Sequence, residues 1–285
     1  MELFRLEMCY LTFNTVNSFS FLFHLIIISF NHTKSIASTT IRSYPIGKVG
    51  YMGHNAVYQN GGLQIVFLLR GYEIIDDIKE ELERQCPGVS CADILALAAR
   101  DAVFFAGGPV YDIPKGRKDG TRSKIEDTIN LPSPNFNASD LIKMFGQHGF
   151  SAQEMVALSG AHTIGVARCS SFKNRLTKVD PNLNSEFAKT LSRTCSAGDN
   201  AEQPFDETRD DFDNLYFDAL VSGNGVLTSD QTLFTSPRTR NFVNSYAQNQ
   251  ALFFLDFQQA MVKMSLLDIK EGSKGQVRDN CRKIN

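Results

Sequence analysis

Between residues 70 and 86 apolar and charged positions alternate at helical spacing. In GYEIIDDIKEELERQC, Ile74, Ile75, Ile78 and Leu82 share one face, while the acids and Lys79 take the other, which predicts an amphipathic surface helix. SCADILALAARDAVFFAGG is apolar on nearly all sides. Ser90 stands as its N-cap with Asp93 three residues on, and Gly107 as its stop, so this helix is expected to be buried. FSAQEMVALSG carries a fuller set of start signals: Ser151 as N-cap, Glu154 to close a capping box, Phe150 and Met155 as a hydrophobic staple, and Gly160 as terminator. Ser236-Pro237 opens a long helical pattern through NFVNSYAQNQALFFLDFQQAMVKM, with Phe242, Tyr246, Phe253, Phe257, Ala260 and Met264 facing inward.

No βαβ alternation and few runs of β-branched residues occur, so the fold class is all-α, with long loops such as GGPVYDIPKGRKDG and no internal repeats. Residues 1–69 show no sustained period, which places one domain from about residue 70 to the end. FSFLFHLIIISF, residues 19 to 30, has the length of a signal h-region and is too short to span about 30 Å of hydrocarbon. Residues 1–37 therefore read as a signal peptide, with cleavage after Ala37, or as a signal anchor. Glu2 and Glu7 outweigh Arg5 ahead of the run, and His24 interrupts it.

An apolar content of 42% is enough to fill a core, and a net charge of −2 provides no basic surface for nucleic acid. The six cysteines, Cys9, Cys86, Cys91, Cys169, Cys195 and Cys281, contain no C-x-x-C pair, so disulfides fit better than structural zinc. Disulfides imply an oxidising compartment. The sequons Asn31-His-Thr and Asn137-Ala-Ser agree with the secretory route.

His162, in EMVALSGAHTI, stands among Ser159, Gly160, Ala161 and Thr163. One reading is a helix-end histidine bonding a nearby carbonyl. The other is an imidazole reaching the metal of a large flat group for which the small neighbours leave room. Asp230, in SDQTLF, reads by itself as a helix cap, and Pro132, in NLPSP, as a turn proline. PFDETRDDFDN, residues 204 to 214, is rich in the oxygen ligands that calcium prefers, or else a solvated acidic loop.

The motifs EMVALSGAHTIG, CADILALAARDAV, GGPVYDIPKGRKDG, NLPSPNFNASDLI, ARCSSFKNRL, FDNLYFDAL, SDQTLF and VRDNCRKIN resemble, in order, those of the class III secretory plant haem peroxidases. The resemblance runs from Arg70 to Asn285 and leaves residues 38–69 unmatched. It implies a haem-peroxidase-like helical fold altered at its N-terminus, with heme b held by His162 as axial ligand of the iron and Asp230 on the other ring nitrogen. It further implies one proximal calcium site formed by Thr163, Thr208 and Asp213. Asp206 falls one residue from the usual place of its acid. Pro132 would lie at the entrance for aromatic donors. Cys91–Cys281 and Cys169–Cys195 would pair, whereas Cys86 would be an odd thiol, because Cys9 would leave with a cleaved signal. The implied activity is oxidation of small phenolic donors by hydrogen peroxide, in peroxide catabolism, oxidative stress and cell-wall phenolic metabolism. The implied protein is a secreted monomer of the extracellular space or cell wall, touching a membrane only through an uncleaved leader.

One departure matters to the chemistry. Splitting a peroxide needs an acid-base group and a cation on the opposite haem face, which the family supplies as R-L-x-F-H-D-C-F. That motif is absent here, and with it a second calcium site. The residues four before His24, His32, His54 and His148 are Ser20, Ile28, Gly50 and Met144, none of them arginine. Losing an acid-base group alone slows such reactions about a hundred- to ten-thousand-fold, so impaired turnover is expected. The alternatives are a non-catalytic haem-binding relative, or a product of a wrongly assembled reading frame. Smaller departures are a shortened CPGVSC, Ser265 in KMSLL for glycine, and Tyr111 for tryptophan.

Overall fold

The computed structural model describes residues 72–122, 131–177 and 180–285; the leader, residues 38–69 and His54 lie outside the described residues. The all-α expectation holds. Among the described residues are ten α-helices and one two-stranded ribbon: α1 (Tyr72–Gln85), α2 (Cys91–Phe105), α3 (Ala138–Gln147), α4 (Ala152–Ser159), β1 (Val166–Arg168), α5 (Asn174–Thr177), α6 (Ser185–Cys195), β2 (Glu202–Pro204), α7 (Leu215–Val221), α8 (Thr228–Thr235), α9 (Arg240–Gln248) and α10 (Gln250–Ser265). β1 and β2 run antiparallel with Val166 opposite Pro204. Strands this short leave no period in the sequence. None of the described helices is long and apolar enough to cross a membrane.

Helix α1 buries Ile75 and packs Ile78 and Leu82 beside Val89, Ile94 and Leu95. Lys79, expected on the charged face, is only 3% exposed. Its stem lies along the apolar face, and its Nζ donates to Val89 O at 2.7 Å and pairs with Glu83.

Ser90 caps α2 by accepting from Asp93 N at 3.1 Å. The Asp93 side chain does not return to the cap. It reaches Gly116 N and Arg117 Nη1, both at 2.7 Å, and so holds the following loop to the helix. The helix stops at Ala106, and Gly107 follows at φ 96°, the left-handed conformation expected past a helix end. Full burial of α2 is corrected: Phe104 and Phe105, in its last turn, are 46% and 47% exposed.

Helix α4 forms as its signals foretell. Ser151 Oγ accepts from Glu154 N, and Glu154 Oε2 accepts from Ser151 N at 2.7 Å. Lys263 of α10 donates to both Glu154 oxygens and to Gly149 O. Gly160, however, does not terminate the chain's coiling. At φ −61° it leads into a 3-10 turn, Gly160–Thr163. It is glycine because of packing: a Cβ there would sit 2.7 Å from Phe217 Cζ and closer still to Phe253.

The long C-terminal helix is two. The chain breaks at Asn249, φ −146° and ψ 91°, whose side chain caps α10 through Leu252 N at 3.0 Å. Asn214 Nδ2 takes the carbonyls of Tyr246 and Ala247 at the end of α9. The apolar period survives the break because both helices face one core. α9 begins at Arg240 rather than Pro237, Val243 joins the buried set, and Phe242 is only half-buried.

That core gathers α4, α7, α9 and α10 around Phe212, Phe217, Phe253 and Phe257. A second cluster, with Phe172, Leu191 and Phe205, surrounds the ribbon. Cys169–Cys195 closes the second cluster, and Cys91–Cys281 ties α2 to the C-terminal segment across 190 residues, as the resemblance implied. Cys86 is disulfide-bonded too.

Candidate functional site

The capping box of α4 fixes where the 3-10 turn begins, and the turn presents His162 toward α8. His162 Nδ1 lies 2.8 Å from Asp230 Oδ1. The helix-end reading is therefore corrected: the imidazole meets a carboxylate, not a carbonyl. Asp230 is 1% exposed, and its other oxygen accepts from Leu227 N at 3.0 Å, at the start of α8. One oxygen of Asp230 thus meets the imidazole and the other caps the start of α8. The tautomer that carries its proton on Nδ1, facing the acid, leaves Nε2 its lone pair. Among the described residues Nε2 has no hydrogen-bond partner.

Two aromatic side chains hold the ring. Phe205 stacks on it, with centroids 4.3 Å apart and planes 1° from parallel, and Tyr216 meets it edge-on at 6.0 Å. Tyr216 Oη also donates to Asp230 Oδ1 at 3.0 Å. Burial, then the charge and hydrogen bond of Asp230, push the Tyr216 phenol well above its usual range, so it stays a proton donor. Neither Phe205 nor Tyr216 was singled out in the sequence. A buried tyrosine usually finds a partner for its hydroxyl, but that rule does not say which.

Directly after His162, Thr163 turns to the loop that follows β2. Its Oγ1 is 2.7 Å from Asp206 Oδ2 and 2.9 Å from Asp213 Oδ1. Thr208 joins through its backbone N, 3.0 Å from Asp206 Oδ1, and its hydroxyl at 3.3 Å. The structure thus brings together all four candidate residues, Asp206 included despite its offset. Gly165 N to Arg209 O, at 2.9 Å, holds the two segments side by side. Burial, and after it the nearby Asp213 charge, raise the Asp206 carboxyl to about 7, against hydrogen bonds from Thr163 and Thr208 that lower it. Among the described residues no three His, Cys, Asp or Glu side chains gather on one point.

Pro132 is half-buried in the segment that leads to α3. That segment is pinned to the start of α8 by Ser229 N donating to Pro134 O at 3.0 Å. Among the described residues the only histidine besides His162 is His148, which ends α3, its backbone N bonded to Phe145 O.

The sequence profile of the peroxidase family matches residues 65–249. Peroxidase 47 of Arabidopsis thaliana is 74% identical over 218 residues, 76% of this chain and 67% of that protein. Peroxidase 66 of Arabidopsis thaliana is 46% identical over 228 residues, covering 76% of this chain and 70% of that protein. Peroxidase 4 of Vitis vinifera is 43% identical over 224 residues, with the same two shares. With a helical architecture to match, the chain belongs to the plant haem peroxidase family.

Proposed function

We propose that this chain binds heme b through His162 and one calcium ion through Thr163, Asp206, Thr208 and Asp213. It oxidises small phenolic donors with hydrogen peroxide, at a rate depressed by the missing histidine and arginine. Membership makes the protein a peroxidase by family, and haem and calcium are the cofactors of that family in general. The observation that carries the specific reading is the 2.8 Å contact of His162 Nδ1 with a buried carboxylate.

His162 fits a haem ligand. Its Nδ1 proton is committed to Asp230, its ring plane is set by Phe205, and its free nitrogen is the one that binds iron. Bound there, the haem supplies the iron at which peroxide is reduced and phenols are oxidised. The protein's part on this side is to hold the imidazole, keep the Nδ1 proton shared with Asp230, and strengthen the ligand's donation. Calcium fits the second set for a separate reason. With both acids ionised, Thr163 Oγ1 has one proton for two carboxylate oxygens, so one of those contacts lacks a hydrogen, and a hard cation accepting oxygen ligands resolves it in place of a proton on Asp206. Because Thr163 adjoins His162, calcium there steadies the ligand's turn. The Pro132 backbone carbonyl is assigned as acceptor for the donor phenol.

Three disulfide-bonded cysteine sites, Cys91–Cys281, Cys169–Cys195 and Cys86, support secretion into an oxidising space. The protein acts as a monomer in the extracellular space or cell wall. A second reading is a non-catalytic haem-binding relative, motivated by the absence of the R-L-x-F-H-D-C-F motif from the sequence. Recombinant full-length chain loaded with haem separates the two. A Soret band with slow but measurable guaiacol oxidation supports the enzyme, and a Soret band with no turnover supports the relative. No haem uptake contradicts both.

A further inference from the structure

We propose that Tyr216 is a positioning residue that limits how far Asp230 draws the Nδ1 proton of His162, and so sets how strongly the imidazole donates to iron. The inference rests on the reading that His162 carries the haem iron.

The geometry singles out one oxygen. Asp230 Oδ1 accepts from His162 Nδ1 at 2.8 Å and from Tyr216 Oη at 3.0 Å, while Oδ2 is occupied by Leu227 N at 3.0 Å. Two donors at one oxygen compete for its negative charge. The more of that charge the phenol takes, the less remains to pull the imidazole proton, and the less imidazolate character His162 gains. No water dilutes the competition, since Asp230 and Tyr216 are each 1% exposed.

The phenol cannot turn away. Its ring stands edge-on to the imidazole and packs 5.1 Å from Phe217, within the aromatic core. Packing alone would be met by phenylalanine, as it is one residue on by Phe217. A hydroxyl in such a place destabilises the fold if left unpartnered, and this one has its partner in Asp230. Burial and the neighbouring Asp230 push the phenol well above its usual range, so it faces Asp230 as a proton donor.

The test uses two side chains of nearly equal shape in the full chain: Tyr216→Phe, which deletes the donor, and site-specific 3-fluorotyrosine at 216, a more acidic phenol and stronger donor. Two readouts report on them. In the haem-free protein, NMR follows the chemical shift of the His162 Nδ1 proton. In the haem-loaded protein, spectroelectrochemistry gives the ferric/ferrous potential and resonance Raman the iron–histidine stretch. Tyr216→Phe should move the proton downfield, make the potential more negative and raise the stretching frequency, and the fluorinated tyrosine should do the reverse. Shifts in the same direction for both, or none, would overturn the proposal, since a merely structural role does not reverse sign. If Tyr216→Phe does not fold, the direction given by the fluorinated tyrosine decides. Should the parent fail to take up haem, the reading of His162 falls, while the haem-free NMR still reports on the Tyr216–Asp230–His162 link.

Discussion

Thr163 Oγ1 sits 2.7 Å from Asp206 Oδ2, one residue after the imidazole and at the end of the 3-10 turn. The contact couples an ion site to the candidate haem ligand, and it carries a pH signature. Without calcium, the Asp206 carboxyl is raised to about 7, so the folded chain keeps a proton that the unfolded chain gives up near pH 4. Its contribution to stability is therefore fully present below about pH 4 and lost as pH rises to about 7. Calcium reverses the preference, because it binds the ionised acid, and its affinity should climb through the same window. Thermal melts of parent and Asp206→Asn in chelator, from pH 4 to 8, isolate the effect. The parent should lose stability relative to the variant as pH rises, and calcium should remove that loss. Parallel curves in chelator would refute the assignment.

Gly160 fills a place where a methyl group would strike Phe217 and Phe253. Gly160→Ala should cost about 1–3 kcal/mol through overpacking. It should also displace the turn bearing His162, so haem affinity should fall along with the denaturation midpoint. An unchanged midpoint in urea would show that the core yields there.

Tyr111 is buried against Phe257, and among the described residues its hydroxyl has no hydrogen-bond partner. Tyr111→Phe should therefore be neutral or stabilise by up to about 1 kcal/mol, whereas a buried tyrosine with a good partner loses about that much. Calorimetry of the two proteins decides the sign.

Asn137 uses only one side-chain atom to cap α3: Oδ1 accepts from Ser139 N and Asp140 N at 2.8 and 3.0 Å. Nδ2, the atom that takes an N-glycan, is left for modification on an exposed residue. Protein secreted from a plant host should shrink on deglycosylation. Ser139→Ala should abolish that glycan and leave stability within about 0.5 kcal/mol, since the cap is untouched. Recovery of Asn137 without sugar from the secreted parent would contradict its assignment as a glycan site.

What the sequence revealed was local. The box of Ser151 and Glu154 lies within one turn and could be read directly, and the resemblance placed His162, Asp230 and both disulfides in advance. Long-range partnerships stayed hidden. Asp93 looks like a first-turn acid until Arg117 arrives from the next loop to claim it. Lys79 looks solvated until Val89 O is placed beneath it. Asn249 breaks a helix whose apolar period continues past it, because Asn214, remote in sequence, holds the freed carbonyls. Asp206 is one residue out of register by position counting, yet its Oδ1 accepts from Thr208 N in a tight turn while its Oδ2 faces Thr163, a loop shape that counting does not register. Tyr216 stayed hidden for the same reason, its partner being carried by a different helix.

The central claim is that His162 grips the haem iron. Its most direct test is a haem titration of apo-protein, parent against His162→Ala, followed at the Soret band, with circular dichroism confirming that both are folded. The account predicts tight uptake by the parent and a loss of at least tenfold in affinity for the variant, restored in part by added imidazole. Equal affinity in the two proteins would contradict it.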